Sequence, residues 1–238
     1  MTTTTLFPAN ERGQGDYGWL KTNYSFSFAS WYNPHKMVFG SLRVLNDDQI
    51  APGQGFGTHS HQNMEIITIV LKGELEHKDS MGNIGRVGAG EIQIMSAGTG
   101  VDHSEYNPSD SESLELFQLW IYPEKIGIAP RYGQKMIDRE VKNQWQQIIG
   151  PLDGEENVLQ INQQGYISIL QTDEKKEIEY NLHNSANCAY FMVIEGNVEI
   201  NGKNLGRRDA IGFSELDGEN ILLKTDQNTR ILALEVPQ

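Results

Sequence analysis

The sequence predicts an all-β protein of two β-sandwich or barrel domains with little helix, and three observations support this. Short segments rich in β-branched and aromatic residues recur roughly every ten residues along most of the chain. The 24 glycines and 8 prolines supply turns between them. A polar stretch over 123–157 then interrupts the pattern, and new strand-like segments follow it.

The first half alternates between apolar strands and turn formers. Strands are predicted over 24–28, 41–45, 64–71, 91–95 and 114–121, where small or polar residues alternate with apolar ones or where β-branched residues dominate. Gly73 turns the chain after the third of these segments, and residues 80–83 form a turn of the hairpin type. Three glycines precede residue 58, and two more precede residue 101.

The stretch over 123–157 reads as a surface linker with a short helix near 139–145. Strands resume over 166–170, 189–194, 198–200, 210–213, 221–224 and 230–236. We therefore predict an N-terminal domain over 1–135 and a C-terminal domain over 136–238. Residues 70–76 resemble residues 193–199, which matches Gly73 with Gly196 and suggests that both halves share one fold.

Composition excludes several classes of function. The net charge of −13 and the pI of about 4.8 oppose direct binding to nucleic acid or to an anionic membrane. No apolar run is long enough to span a bilayer, and the first residues lack the features of a signal peptide. The one cysteine, Cys188, lies in an apolar segment and is expected to be buried. These features together predict a cytoplasmic protein.

Two pairs of potential metal ligands stand out. His59 and His61 form the first pair, and His103 and Glu105 the second. The i, i+2 spacing of each pair places both side chains on one face of a strand. Three imidazoles and a carboxylate suit a divalent transition metal and leave coordination positions open. Glu65 is separated from His59 and His61 by an even number of positions, so strand geometry would also allow it to face the same way. Strand geometry alone therefore does not decide whether Glu65 or Glu105 is the carboxylate ligand.

The spacing resembles the two cupin motifs, with Gly53, His59, His61 and Glu65 in the first motif and His103 and Asn107 in the second. More closely, the N-terminal half is similar to the pirins, a family with two cupin domains. The similar segments are 26–29, 42–44, 46–48, 53–61, 64–66, 77–83, 93–100 and 103–107. Tyr24 departs from the pattern, since many pirins carry histidine there.

The resemblance implies a bicupin with one metal site, in the N-terminal domain. It assigns His59, His61, His103 and Glu105 as ligands, and it leaves Glu65 as a buried hydrogen-bonding group that orients a histidine. The implied activity is that of a quercetin 2,3-dioxygenase, which cleaves a flavonol with O₂ and releases CO. Glu105 would be the catalytic base. Iron(II) is the first choice of metal, with Mn, Ni, Co, Cu and Zn as alternatives.

A second function is implied by the same resemblance. Some pirins act in regulation through protein partners, and a metal-dependent redox sensor of this kind needs no catalysis. Among the other histidines, His77 is expected to be solvated, while His35 and His183 lie in predicted turns or loops. Phe56 and Met64 are expected to form apolar walls of the substrate pocket.

Overall fold

The computed structural model describes residues 2–216, 218 and 220–238, and it is almost entirely β-structure. Within these residues the one helix is a 3-10 turn over Ala9–Glu11, and every other element is a strand. The predicted all-β architecture with little helix is therefore confirmed. None of the described residues belongs to a helix that is long and apolar enough to cross a membrane.

The chain divides into two compact units. The N-terminal unit comprises residues 13–137 and 161–163. Its strands are β2 (Gly13–Asp16), β3 (Leu20–Tyr24), β4 (Leu42–Ile50), β5 (Gly55–His61), β6 (Glu65–Lys72), β7 (Glu74–Asp79), β8 (Ile84–Gly88), β9 (Glu91–Ser96), β10 (Val101–Tyr106), β11 (Leu114–Ile121) and β12 (Arg131–Met136). They form a seven-stranded sheet in the order β12-β9-β6-β11-β4-β3-β2 and a four-stranded sheet in the order β5-β10-β7-β8.

The C-terminal unit comprises residues 1–12, 138–160 and 164–238. Its sheets are built from β1 (Thr3–Phe7), β13 (Trp145–Pro151), β14 (Leu159–Ile161), β15 (Tyr166–Gln171), β16 (Lys176–Tyr180), β17 (Asn187–Glu195), β18 (Val198–Ile200), β19 (Lys203–Leu205), β20 (Ala210–Ser214), β21 (Ile221–Thr225) and β22 (Arg230–Pro237). The strand orders are β1-β20-β17-β22-β15-β13-β14 and β16-β21-β18-β19. Residues 1–12, 136–137 and 161–163 thus fall in different units from those that the predicted ranges give them.

The strands of the two units are arranged in the same order, and the two glycines of the internal repeat occupy equivalent positions in it. At Gly73 and Gly196 the chain leaves the seven-stranded sheet and enters the four-stranded one. Their φ values are 80° and 84°, in the left-handed region that favours glycine. A Cβ on Gly196 would lie 2.7 Å from the Thr229 hydroxyl oxygen, so a larger residue would also be excluded by contact.

Two predicted segments differ from the structure. The stretch over 123–157 contains β12, which pairs with β9, and β13, which pairs with β15, so it is not a linker. Residues 139–144 form turns and bends, and β13 begins at residue 145 where a helix was expected. The strand expected over 24–28 shares only Tyr24 with the observed strand β3, which covers Leu20–Tyr24. Beyond it, the Ser25 amide donates to the Leu45 carbonyl of β4, while the Ser27 amide donates to the Lys36 carbonyl in a loop.

The space between the two sheets of the N-terminal unit is apolar toward one end. Val70 and Leu116 of the large sheet pack there with Leu75 and Val87 of the small sheet. The rest of this interior carries the polar side chains described below. In the C-terminal unit the corresponding space is filled by apolar residues, and Cys188 is buried as predicted.

Candidate metal centre

Three of the four predicted ligands come together because β5 and β10 are antiparallel neighbours: His59, His61 and His103 form one cluster, whereas Glu105 is grouped with His103 and not with the first pair. His59 pairs with His103 in this ladder, and His61 pairs with Val101. The Nε2 atoms of His59 and His103 lie 3.0 Å apart. Ring centroids are separated by 4.8 Å for His59 and His61 and by 5.0 Å for His61 and His103. The three imidazoles therefore present nitrogen atoms to one common point, all within 4.8 Å of one another.

This arrangement fits a metal ion. Two nitrogens that bind one ion at about 2.1 Å and at right angles lie about 3.0 Å apart, which is the separation of the His59 and His103 Nε2 atoms. The carbonyl oxygen of Gly57 lies 2.8 Å from His59 Nδ1 and fixes that ring, so its Nε2 atom faces the site. Burial lowers the pKa of His61 to about 4 and that of His103 to about 3, with the neighbouring histidines adding to the effect. Both rings are thus neutral near pH 7, which is the form that binds metals.

Glu105 lies deeper than the exposed edge of the histidine cluster and is held by three donors. Gln93 donates to Oε1 at 2.6 Å and Thr68 donates to the same atom at 3.3 Å, while Gln118 donates to Oε2 at 2.8 Å. An ionised carboxylate has about four acceptor sites, so one remains for an ion or a ligand. Burial raises the pKa of Glu105, which makes it a stronger base than an exposed glutamate.

His77 is buried, so the expectation of a solvated side chain is wrong. It pairs with Glu105 across the β7–β10 ladder, and it forms a second cluster of potential ligands with His103 and Glu105. Its Nε2 atom lies 3.2 Å from Asp79 Oδ2, and its ring stacks on Tyr132 with centroids 4.8 Å apart. The burial of His77 could have been predicted from the alternation of side chains along β7. Because Leu75 points into the interior, residue 77 on the same face must also point inward.

Glu65 is buried but does not orient a histidine. Its Oε2 atom accepts hydrogen bonds from the Ser96 hydroxyl at 2.6 Å and from the Asn162 backbone at 3.2 Å. Neither cluster of potential metal ligands among the described residues includes it. The expectation of a buried hydrogen-bonding group is confirmed, and the expectation that it positions an imidazole is corrected.

The remaining sequence expectations concern residues around the site. His35 is exposed in a turn, and His183 lies 2.9 Å from Glu235 in the C-terminal unit. Phe56 lines the cavity beside the histidines, as expected. Met64 does not; it packs on Ile66 and Met95 instead.

A cavity of about 280 Å³ opens beside the histidines, between the two sheets of the N-terminal unit. The small sheet contributes Phe56, His59, His61 and Glu105, and the large sheet contributes the facing wall. Aromatic rings dominate the apolar lining, namely Tyr24, Phe28, Phe56 and Trp120. Polar groups of the large sheet are interspersed among them, namely Thr22, Asn46, Asp48 and Gln118. The size is near the lower limit of about 300 Å³ that is typical of small-molecule sites.

Asp48 is the second carboxyl group of this cavity. Its side chain is almost fully buried, and burial raises its pKa from 3.8 to about 7, with Asp47 and Glu105 acting in the same direction. It belongs to neither cluster of potential ligands among the residues that the structure describes. Asp48 carries no functional signal in the sequence, where it is one of two adjacent aspartates that follow a predicted strand.

Comparison with known proteins gives consistent matches over both units. The family model described as Pirin matches residues 7–121, and the model described as Quercetinase C-terminal cupin domain matches residues 148–236. A quercetin 2,3-dioxygenase of Escherichia coli K12 is 45% identical over 236 residues, which cover 98% of each chain. The crystal structure of a bacterial pirin, YhhW of Escherichia coli, in complex with nickel(II) has a TM-score of 0.92 at 40% identity and covers 99% of each chain.

Proposed function

The chain belongs to the pirin family and has its two-cupin fold, and from this premise we propose that it is a metal-dependent dioxygenase of the quercetin 2,3-dioxygenase type. The substrate is a flavonol-type molecule and O₂. The reaction opens the central ring of the flavonol, incorporates both oxygen atoms into the product and releases one ring carbon as CO. The relative of the same length that is named a quercetin 2,3-dioxygenase supports this assignment.

The observation that carries the proposal is the position of the ligand cluster. His59, His61 and Glu105 line one wall of a cavity whose other walls are largely aromatic. A flat polycyclic substrate needs such walls for stacking, and its oxygen atoms need an electrophile at one edge. The cavity supplies the walls, and an ion held by the histidines would supply the electrophile.

We assign His59, His61, His103 and Glu105 as the ligands of one divalent transition metal ion, with iron(II) as the first choice. The nitrogen spacing and the neutral rings of His61 and His103 support the three histidines, and the free acceptor site supports the carboxylate. A bound metal supplies Lewis-acid activation of the flavonol oxygens and a means of reaction with O₂. The nickel(II) complex of the bacterial pirin YhhW shows that a member of this family binds a transition metal.

Glu105 is proposed as the base that removes the 3-hydroxyl proton of the flavonol. Its carboxylate lines the cavity, and burial raises its pKa toward the range in which a base is effective at neutral pH. The amides of Gln93 and Gln118 fix the plane of the carboxylate, so the remaining acceptor site has a defined direction. The single free acceptor site serves either the ion or the proton, so Glu105 takes the proton from the substrate oxygen when its carboxylate is detached from the ion.

The test is a measurement of O₂ consumption and CO release. The protein is purified, its metal content is measured by elemental analysis, and the metal-free form is loaded separately with each candidate metal. Stoichiometric CO from quercetin under O₂, absent in the metal-free protein, is the expected result. If no flavonol is consumed with any of these metals, the dioxygenase proposal fails and the regulatory function through a protein partner takes its place.

A further inference from the structure

Three buried polar atoms line the large-sheet wall of the cavity without a hydrogen bond of good geometry, although the Thr22 hydroxyl lies close enough to Asp48 to lower the pKa of that carboxyl. They are the Thr22 hydroxyl oxygen, Asn46 Oδ1 and Asp48 Oδ1. The exposed fractions of these residues are 2%, 4% and 5%, so bulk water does not hydrate them. Most buried polar groups in folded proteins have a partner. Three atoms without one at a single cavity therefore need an explanation.

The three residues are direct neighbours. Thr22 pairs with Asp48 across the β3–β4 ladder, and the next inward-facing pair along it is Tyr24 with Asn46. Asn46 in turn pairs with Gln118 across the β4–β11 ladder. They form one continuous polar patch on the large sheet, whereas the histidines belong to the small sheet. A molecule that fills the cavity from the histidines therefore meets this patch at its other side.

Glu105, the carboxylate on the histidine side of the cavity, differs from this patch in its hydrogen bonding. Both oxygens of Glu105 accept hydrogen bonds from neighbouring side chains, so neither of them is left without a partner. The carboxyl of Asp48 lacks such support on Oδ1. A cavity wall with buried acceptor atoms that have no protein partner is suited to bind a ligand that donates hydrogen bonds to them.

The chemistry of the open atoms defines what they recognise. Asn46 Oδ1 and an ionised Asp48 are hydrogen-bond acceptors, and the Thr22 hydroxyl accepts as well as donates. Phe28 and Trp120 line the same cavity, and their rings lie 5.3 Å apart in an edge-to-face contact. Acceptors beside aromatic rings suit a planar aromatic molecule that carries hydroxyl donors.

We propose that Thr22, Asn46 and Asp48 form a subsite that accepts hydrogen bonds from phenolic hydroxyl groups on the part of the substrate turned away from the histidines. The inference rests on the proposed function and adds its selectivity: the protein prefers flavonols that carry hydroxyl groups beyond the 3-hydroxyl. A substrate without those groups leaves the buried acceptors unpaired and is bound less tightly.

The experiment compares two flavonols that share the 3-hydroxyl and 4-carbonyl groups. Quercetin carries additional hydroxyls, and 3-hydroxyflavone carries none. Dissociation constants are measured without O₂ on the metal-loaded full-length protein, so binding is observed apart from turnover. We expect quercetin to bind about 30-fold more tightly, within the range for a lost hydrogen bond to a charged or buried group.

Two variants locate the preference. Asp48→Leu removes the acceptor while keeping a similar size, and it should reduce the ratio of the two dissociation constants to below about 5. Thr22→Val deletes only a hydroxyl and is the milder substitution; it should reduce the ratio about 3-fold. Asp47→Leu is the matched control, since Asp47 lies on the same strand but points away from the cavity. It should leave the ratio unchanged.

The outcomes separate the two proposals. A ratio near 1 in the wild type, or a ratio that neither variant changes, overturns the subsite even when both flavonols are cleaved. A ratio that falls in both variants while neither flavonol is consumed under O₂ supports the subsite and rejects the dioxygenase. Failure of both flavonols to bind the metal-loaded protein rejects the subsite as a flavonol site.

Discussion

The burial of Asp48 predicts that replacing it with asparagine changes stability in a pH-dependent way. The side chain is 5% exposed, and burial raises its pKa from 3.8 to about 7. A carboxyl group of this kind binds its proton more tightly in the folded protein than in the unfolded chain. It therefore adds stability that is fully present below pH 3.8 and is lost as the pH rises through about 7. Asparagine has no proton to lose, so the variant lacks this dependence.

The magnitude follows from the pKa values. Between pH 8 and pH 5 the folded protein takes up the proton while the unfolded chain remains mostly ionised. Each pH unit below the folded pKa contributes about 1.4 kcal/mol, so the wild type gains about 3 kcal/mol over this interval from Asp48. Asp48→Asn should accordingly be more stable relative to wild type at pH 8 than at pH 5, by about 3 kcal/mol.

The assay is urea unfolding of both proteins at the two pH values, with a chelator present so that metal binding does not contribute. Tryptophan fluorescence reports mainly on the N-terminal unit, which contains Trp19, Trp31 and Trp120, whereas the C-terminal unit contains Trp145. Because other titrating groups are common to both proteins, they cancel in the difference. Asp47→Asn, a half-buried carboxylate on the opposite face of the same strand, measures the general effect of removing a carboxylate there. A difference between wild type and Asp48→Asn that is equal at both pH values within about 0.5 kcal/mol would refute the reasoning.

Three further predictions concern the metal site. Glu105→Gln should weaken metal binding by about 10-fold or more and, at full metal occupancy, lower turnover by about 10²- to 10⁴-fold, as chelator competition and CO release would show. Glu65→Gln is its control and should keep metal affinity within about 3-fold, since Glu65 contacts no ligand cluster among the described residues; the reverse ranking would make Glu65 the ligand. His77→Phe should weaken metal binding by about 10-fold, because His77 favours the ionised form of Glu105; unchanged affinity would contradict this. Elemental analysis should give one transition metal ion per chain, and two tightly bound ions would contradict the argument below.

Strand parity explains why much of the site was predictable. The i, i+2 spacing fixed which side chains share a face, and the ladder between β5 and β10 placed His59 opposite His103. The glycine corners were also visible, because Gly73 must adopt a positive φ to turn the chain between sheets, but many of the shorter strands were not predicted. Periodicity and turn chemistry are local properties, and a single sequence displays them directly.

The surroundings of the site were less accessible, because they depend on which strands become neighbours. The charged residues that follow His77 in the sequence suggest a solvated side chain. However, β7 lies beside β10, and this pairing places His77 across from Glu105. The polar patch of Thr22 and Asp48 exists only because β3 pairs with β4. Local composition does not specify such pairings, so buried polar residues on inward faces were the ones misjudged.

Comparison of the two units explains why the metal chemistry belongs to the N-terminal one. With Gly73 matched to Gly196, the strand registers match five inward-facing polar residues to five apolar ones. In chain order, Thr68, His77, Gln93, Glu105 and Gln118 correspond to Phe191, Ile200, Ile211, Leu223 and Ala233.

All five replacements belong to one buried apolar cluster of the C-terminal unit. The sequence offset that matches Gly73 with Gly196 also matches His59 with Leu182, but the β16–β21 pairing makes Tyr180 the equivalent of His59. An ion in that interior would meet neither the carboxylate nor the amides that hold it, and it would have to displace closely packed side chains. The same strand order thus supports two different interiors: one kept polar and open beside the histidines, the other filled to stabilise the fold.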